Sequence, residues 1–214
     1  MGGPGQGTRS LIANPLRGVN STVATDEIYE KYLQKAITEI NALGDEVAQA
    51  GAGMRVPVVG SGHPLADVFL LKYQPRASEL QEGVAFFGRA GNALLKSLQR
   101  LHVDPMAIYG TNCLKFADGD EDESRPFLLR ELHIVQPKLV VAMGERALAF
   151  LNSVAFPLAR EVEPKEAELQ KLTPTIDFLY TPDIDDSLDE QPAKTRFWNS
   201  FKLLGTWFAE LPPY

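Results

Sequence analysis

The side chains best suited to chemistry fall in a few short stretches. GVAFFGRAGNALLKSLQRL, residues 83–101, places Phe86 and Phe87 directly before Gly88, Arg89, Ala90 and Gly91, then runs into an amphipathic helix. An aromatic pair ahead of a glycine turn suits a flat ligand stacked on a ring while the backbone comes close. It equally suits a loop that packs its own aromatics. Asn112, in YGTN, offers a side-chain amide that both donates and accepts; the same residue type also suits a turn at a strand end. Gly144 opens Gly144-Glu145-Arg146 at a helix entry, where free N–H groups can seat a phosphate or simply make a strand-to-helix turn.

The carboxylates concentrate in two stretches. FADGDEDES, 116–124, carries Asp118, Asp120, Glu121, Asp122 and Glu123; PDIDDSLDE, 182–190, carries Asp183, Asp185, Asp186, Asp189 and Glu190. Neither has the glycine and glutamate spacing of an EF-hand loop, so no metal site is expected there. They read as solvated acidic loops, or as a docking surface for a basic protein partner. The three histidines form no nucleophile or metal arrangement: His63 is in a connection, His102 at a helix end, and His133 is expected on the apolar face of a helix.

The elements that must position these residues alternate in type. Apolar runs at 66–73, 107–112, 138–144 and 176–182 read as strands, the first and third with the continuous hydrophobicity of buried parallel strands. Helices are predicted over 25–50, 89–101, 124–137, from Gly144 onward, and over 195–211. In the first of these, Ile28, Tyr32, Ile37, Ile40 and Leu43 approximate a helical stripe. Units of this kind imply a three-layer α/β/α sandwich around a central four-stranded parallel sheet. Ligands in such folds bind beyond the carboxyl ends of the strands. Those ends are KYQPR (72–76), GTNCLK (110–115), MGER (143–146) and YTPD (180–183). Residues 1–24 are expected to be a flexible arm, and 25–214 a single domain.

Bulk properties narrow the class. With 44% hydrophobic and 23% charged residues the composition is that of a soluble globular chain, and no stretch approaches the ~20 apolar residues of a membrane span. A single cysteine, Cys113, excludes an intrachain disulfide and any all-cysteine metal or cluster site, and fits a reducing, cytoplasmic setting. The net charge of −7 speaks against a general nucleic-acid binder, although a local basic patch is compatible with it.

Four segments in order carry a family resemblance. ADVFLLKYQPRASELQEGVAFFGRAGNALL, YGTNCLKF, SRPFLLRELHIVQPKLVVAMGERAL and the approach VVGSGHPLADV resemble the family 4 type of uracil-DNA glycosylase over residues 57–182. That family reads Gly-Glu-Ala/Gly-Pro-Gly after its first strand and His-Pro-Ser-Ala after its last. The resemblance implies that Phe86 matches the phenylalanine on which a flipped base stacks, and Asn112 the asparagine that reads the base edge. Tyr73 and Gln74 stand where the water-activating carboxylate is expected, and Thr181 where the histidine is. A neutral glutamine cannot act as general base, and a threonine carries no charge to stabilise a departing base. The family's iron–sulfur cysteines correspond to Phe116 and Ser124, with no counterpart to an N-terminal pair, so no cofactor is expected. Cys113, in the place of a family valine, reads as a small buried hydrophobe.

The expectation is therefore a member of the uracil-DNA glycosylase superfamily with a degenerate catalytic site. It would keep a pocket for DNA, a free base or a nucleotide, or a partner-binding surface. Gly88, Gly91 and Gly144 would shape its backbone loops. An alternative is a divergent active glycosylase whose base comes from elsewhere, such as Glu79 or Glu82. A third is an unrelated doubly wound enzyme in which Lys72, Tyr73 and Arg76 serve an anionic substrate.

Overall fold

The computed structural model describes residues 16–212. Helix α1 (Leu16–Ala50) is followed by β1 (Ser61–Gly62), β2 (Val68–Lys72), α2 (Ala77–Glu82), α3 (Arg89–Arg100) and β3 (Ile108–Asn112). Then come α4 (Glu121–Val135), β4 (Leu139–Met143), α5 (Glu145–Ser153), β5 (Leu169–Lys171), β6 (Asp177–Thr181), α6 (Ile184–Ser187) and α7 (Gln191–Ala209). The chain divides into two compact units, Met1–Lys35 and Ala36–Tyr214. Among described residues the first unit is the leading part of α1. The expected flexible arm lies outside the described residues over 1–15; residues 16–24 belong to α1.

Among the described residues the sheet has six strands in the order β1-β3-β2-β4-β6-β5. Its centre is the expected set of four parallel strands, but β1 and β5 pair antiparallel at the two edges, so the sheet is mixed. Two or three residues with little apolar content, Ser61–Gly62 and Leu169–Lys171, carry no period from which a strand can be read. Such short edges also leave little open ladder for unwanted pairing.

Alternation along the strands makes two cores. Phe69, Leu71, Tyr109, Val140 and Phe178 pack with Leu128, Leu132, Leu148 and Leu151 of α4 and α5. Val68, Leu70, Ile108, Val141 and Leu179 pack with Leu94 and Leu98 of α3 and Phe201 and Leu204 of α7. The parallel register aligns Asn112 with Lys72, Lys72 with Met143, and Met143 with Thr181. The four carboxyl ends thus form one row, with these side chains on the α3/α7 face.

Three local expectations shift. Helix α4 starts three residues early because the Asp120 side chain accepts from Asp122 N, capping the helix; it ends before Pro137, with Gln136 left-handed at φ 50°. His133 is exposed rather than on the apolar face, its ring 5.1 Å from that of Phe156. The buried stripe of α1 is Ala36, Leu43 and Val47, while Ile28 and Tyr32 are exposed.

Candidate base-binding site

The glycines of the opening turn place Phe86 on the sheet. Phe86 adopts φ 61°, and its ring packs against Gly110 of β3: a Cβ there would sit 2.7 Å from Phe86 Cδ2. A Cβ on Gly91 would sit 1.9 Å from Phe86 O, and Gly88, at φ 98°, opens α3. Only residues without a Cβ allow this close approach. Two positions along β3, on the face that carries the Phe86 ring, is Asn112. It is fully buried, and neither its Oδ1 nor its Nδ2 has a hydrogen-bond partner. A buried amide left unpaired costs about 1–3 kcal/mol for each orphaned group, so its partner, an ordered water or a ligand, must come from outside the chain.

Beside Asn112 in register stands Lys72, only 1% exposed. Its ammonium donates to Glu79 Oε2 at 2.6 Å and to Asp185 Oδ2 at 2.9 Å, and lies 5.6 Å from the centre of the Phe86 ring. Glu79, equally buried, accepts from Arg76 N at 2.7 Å through Oε2 and from Phe86 N through Oε1. Glu79 therefore both caps α2 and holds the backbone of the aromatic turn. Asp185 also meets Arg76 Nε at 3.0 Å.

Of these residues, Glu79 is the alternative base named from the sequence, whereas the convergence of Lys72 and Asp185 was not anticipated. A charged residue closing the apolar run VFLLK, with acids in the loop after another strand, is the signal that points to it.

The residues at the resembled catalytic positions do not gather here. Tyr73, one residue on, turns to the opposite face, where its hydroxyl donates to Glu121 Oε1 at 2.7 Å under the Arg146 guanidinium, 3.7 Å from its ring. Burial, then the Glu121 hydrogen bond, pushes its pKa above the usual phenol value. Gln74 is half-buried. Thr181 is on the α3/α7 face but fully buried, its hydroxyl donating to Pro182 O at 3.1 Å. At Gly144, φ 92°, the Asp183 side chain packs against the glycine, 3.1 Å from where a Cβ would lie. Asp183 also caps α6, accepting from Asp185 N at 2.8 Å. Burial raises its carboxyl pKa, opposed by that backbone N–H.

Two cavities flank the turn. One of about 660 Å³ is lined by Lys72, Arg76, Glu79, Gly88, Arg89 and Asp185. The other, about 510 Å³ and more apolar, is lined by Phe86, Phe87, Gly91, Leu98 and Gly110. Asn112 lines neither. The acidic stretches are less free than the sequence suggested. Glu123 pairs with Arg55, Asp122 with Arg125, Asp185 with Lys72 and Arg76, and Asp189 with Arg89.

The residues present do not fit an iron–sulfur cluster. Phe116 is fully buried, with the Arg55 guanidinium 4.0 Å from its ring centre and Gly51 packed so closely that a Cβ would lie 3.0 Å from Phe116 Cε1. Arg55 also grips Glu123 at 2.8 Å. Ser124 is buried with its hydroxyl unpaired. The Cys113 thiol is fully buried, pushed well above its ordinary pKa by desolvation, and therefore not poised to ligate as a thiolate. Among the described residues no group of three or more His, Cys, Asp or Glu is placed to hold a metal ion, and no helix is long and apolar enough to cross a membrane.

Comparison with known proteins agrees with this architecture. A type-4 uracil-DNA glycosylase of Sulfurisphaera tokodaii is 30% identical over 105 residues, covering 45% of this chain and 48% of that protein. The type-4 enzyme of Pyrobaculum aerophilum is 30% identical over 95 residues, 41% of this chain and 48% of its own. That of Archaeoglobus fulgidus is 26% identical over 125 residues, 53% and 63% respectively. The chain thus spans about half to two-thirds of the length of these curated relatives. Residues 59–202, which include the whole row of strand ends, match the sequence model of the uracil DNA glycosylase superfamily, and the chain belongs to that superfamily.

Proposed function

We propose that the protein is a base-binding member of the superfamily whose excision site has degenerated. The observation that carries this is Lys72. Where the resembled motif opens with glycine, a lysine extends on the face shared by Phe86 and Asn112 and draws both nearby carboxylates onto its ammonium. A general base must be free to hold a water and take its proton near neutral pH. Glu79 spends both oxygens on Lys72 and two backbone N–H groups. Asp185 is shared between Lys72 and Arg76. Neither is available as a base. The Phe86 ring and the unpaired, buried Asn112 amide remain as the parts suited to bind and read a base. The names of the relatives make uracil in DNA the first ligand to try, with a free base or nucleotide next. A basic protein partner finds fewer unpaired acids than the sequence implied. The single, buried Cys113 suits a cytoplasmic setting.

The test uses excess protein with single-stranded and duplex oligonucleotides containing uracil, scored in the same lanes for binding and for abasic sites. Binding without abasic sites, lost in N112A, is the expected result. Abasic sites made by the parent chain and abolished in N112A would overturn it. One observation favours that second reading, a divergent glycosylase: Asp183 is a desolvated carboxyl with a raised pKa at the end of β6. Excision that fails in D183N would identify it as the base.

A further inference from the structure

We propose that residues 183–190 form an acidic strap whose carboxylates occupy the cationic positions that a nucleic-acid backbone would otherwise use at the mouth of this site. The proposal rests on the base-binding reading only in taking nucleic acid as the competitor. Lys72, Arg76 and Arg89 line one cavity. Each is met by a carboxylate from the same short segment. Asp185 reaches Lys72 at 2.9 Å and Arg76 at 3.0 Å; Asp186 reaches Arg76 at 3.7 Å; Asp189 reaches Arg89 at 2.6 Å. A carboxylate on a guanidinium takes the place that a phosphate oxygen takes when arginine binds a backbone.

The pairing is graded along the strap. Its inner end is fixed: Ile184 is buried, Asp183 caps α6, and the Ser187 hydroxyl donates to Asp183 O at 2.6 Å. Asp185 is held by a lysine that is 1% exposed. The outer end is open to solvent, with Asp189 and Arg89 68% and 71% exposed and Asp186 73% exposed. Exposed pairs contribute little and are screened by salt. A phosphodiester chain can therefore displace Asp186 and Asp189 while Asp185 stays on Lys72. Release frees Arg89, and the Nη2 end of the Arg76 guanidinium whose Nε stays on Asp185, beside the aromatic turn. The strap also reconciles a net charge of −7 with a local cationic patch, because it covers that patch until a stronger polyanion arrives.

Fluorescence anisotropy of two single-stranded oligonucleotides, one with uracil and one with thymine in its place, tests this on the full chain. D186N/D189N alters only exposed residues, and a melting curve checks that it folds as the parent does. The expected result is about threefold to tenfold tighter binding of both oligonucleotides by D186N/D189N at low salt. The gain should shrink as salt rises and disappear when R76Q/R89Q is added. Equal affinity of parent and D186N/D189N overturns the strap, whether or not the arginine changes weaken binding. The uracil–thymine comparison separates the two readings. A gain without uracil preference supports the strap and removes the base pocket, whereas uracil preference without a gain removes the strap alone.

Discussion

Lys72 and Glu79 form an ion pair at 2.6 Å in which each side chain is only 1% exposed. Removing two charges from water is expensive, and their attraction offsets that cost only while both partners are present. E79A would leave the buried ammonium with Asp185 as its one carboxylate partner and remove the acceptor of the Phe86 and Arg76 amides. It should lower stability by about 3–5 kcal/mol. K72M/E79Q, which removes both charges, should cost less than E79A alone. Denaturant unfolding of the variants gives the comparison, and a double variant as damaged as E79A would show that charge pairing is not what holds this turn.

Asn112 should behave in the opposite sense to an ordinary buried residue. Its amide makes no bond within the protein, so removing it relieves an unmet demand rather than breaking a contact. N112A should therefore melt within a few degrees of the parent while losing at least about tenfold in affinity for the preferred base, as an unmade buried hydrogen bond implies. Paired melting and binding curves measure both. A large fall in melting temperature would mean that the amide is structural.

Asp183 makes stability depend on pH in a defined direction. Its folded-state pKa is raised by burial, so the folded state binds a proton more tightly than the unfolded one. That contribution is fully present below the ordinary carboxylate range, about pH 4, and is lost as pH rises through the elevated folded value. D183N cannot titrate. The stability difference, parent minus D183N, should fall as pH is raised from about 4 toward neutrality, as read from urea midpoints across that range. A difference that rises would contradict the sign.

Phe116, where the resemblance expects a cluster cysteine, is fully buried against Arg55 and Gly51, so the fold should stand without metal. Dialysis against a strong chelator should leave the melting temperature unchanged. F116A should instead cost about 3–5 kcal/mol, as for a fully buried aromatic, and R55A less, because the arginine is partly exposed. Loss of stability on chelation would mean that a metal ion supports this corner.

Much of the fold was legible because its causes are local. The apolar run at 66–73 reads as a buried strand, which β2 (Val68–Lys72) bears out, and the glycines after Phe86-Phe87 read as a turn. Phe86 and Asn112 were legible as a pair only through the family resemblance of their motifs, and the structure brings both to one face of β3. The edge strands were not legible, since a strand of two or three residues owes its pairing to a neighbour already in place.

The sequence by itself determined the parallel strands, the aromatic glycine turn and the identity of the residues at the strand ends. Only the tertiary structure decided what those residues do to one another. Lys72 and Asp185 are 113 positions apart, and no periodicity couples groups at that distance. They meet because β2 and β6 flank β4, all three parallel, in one sheet, which carries the loop after β6 to the end of β2. There burial makes charge pairing obligatory: an ammonium shut away from water must find carboxylates, and these are the ones within reach.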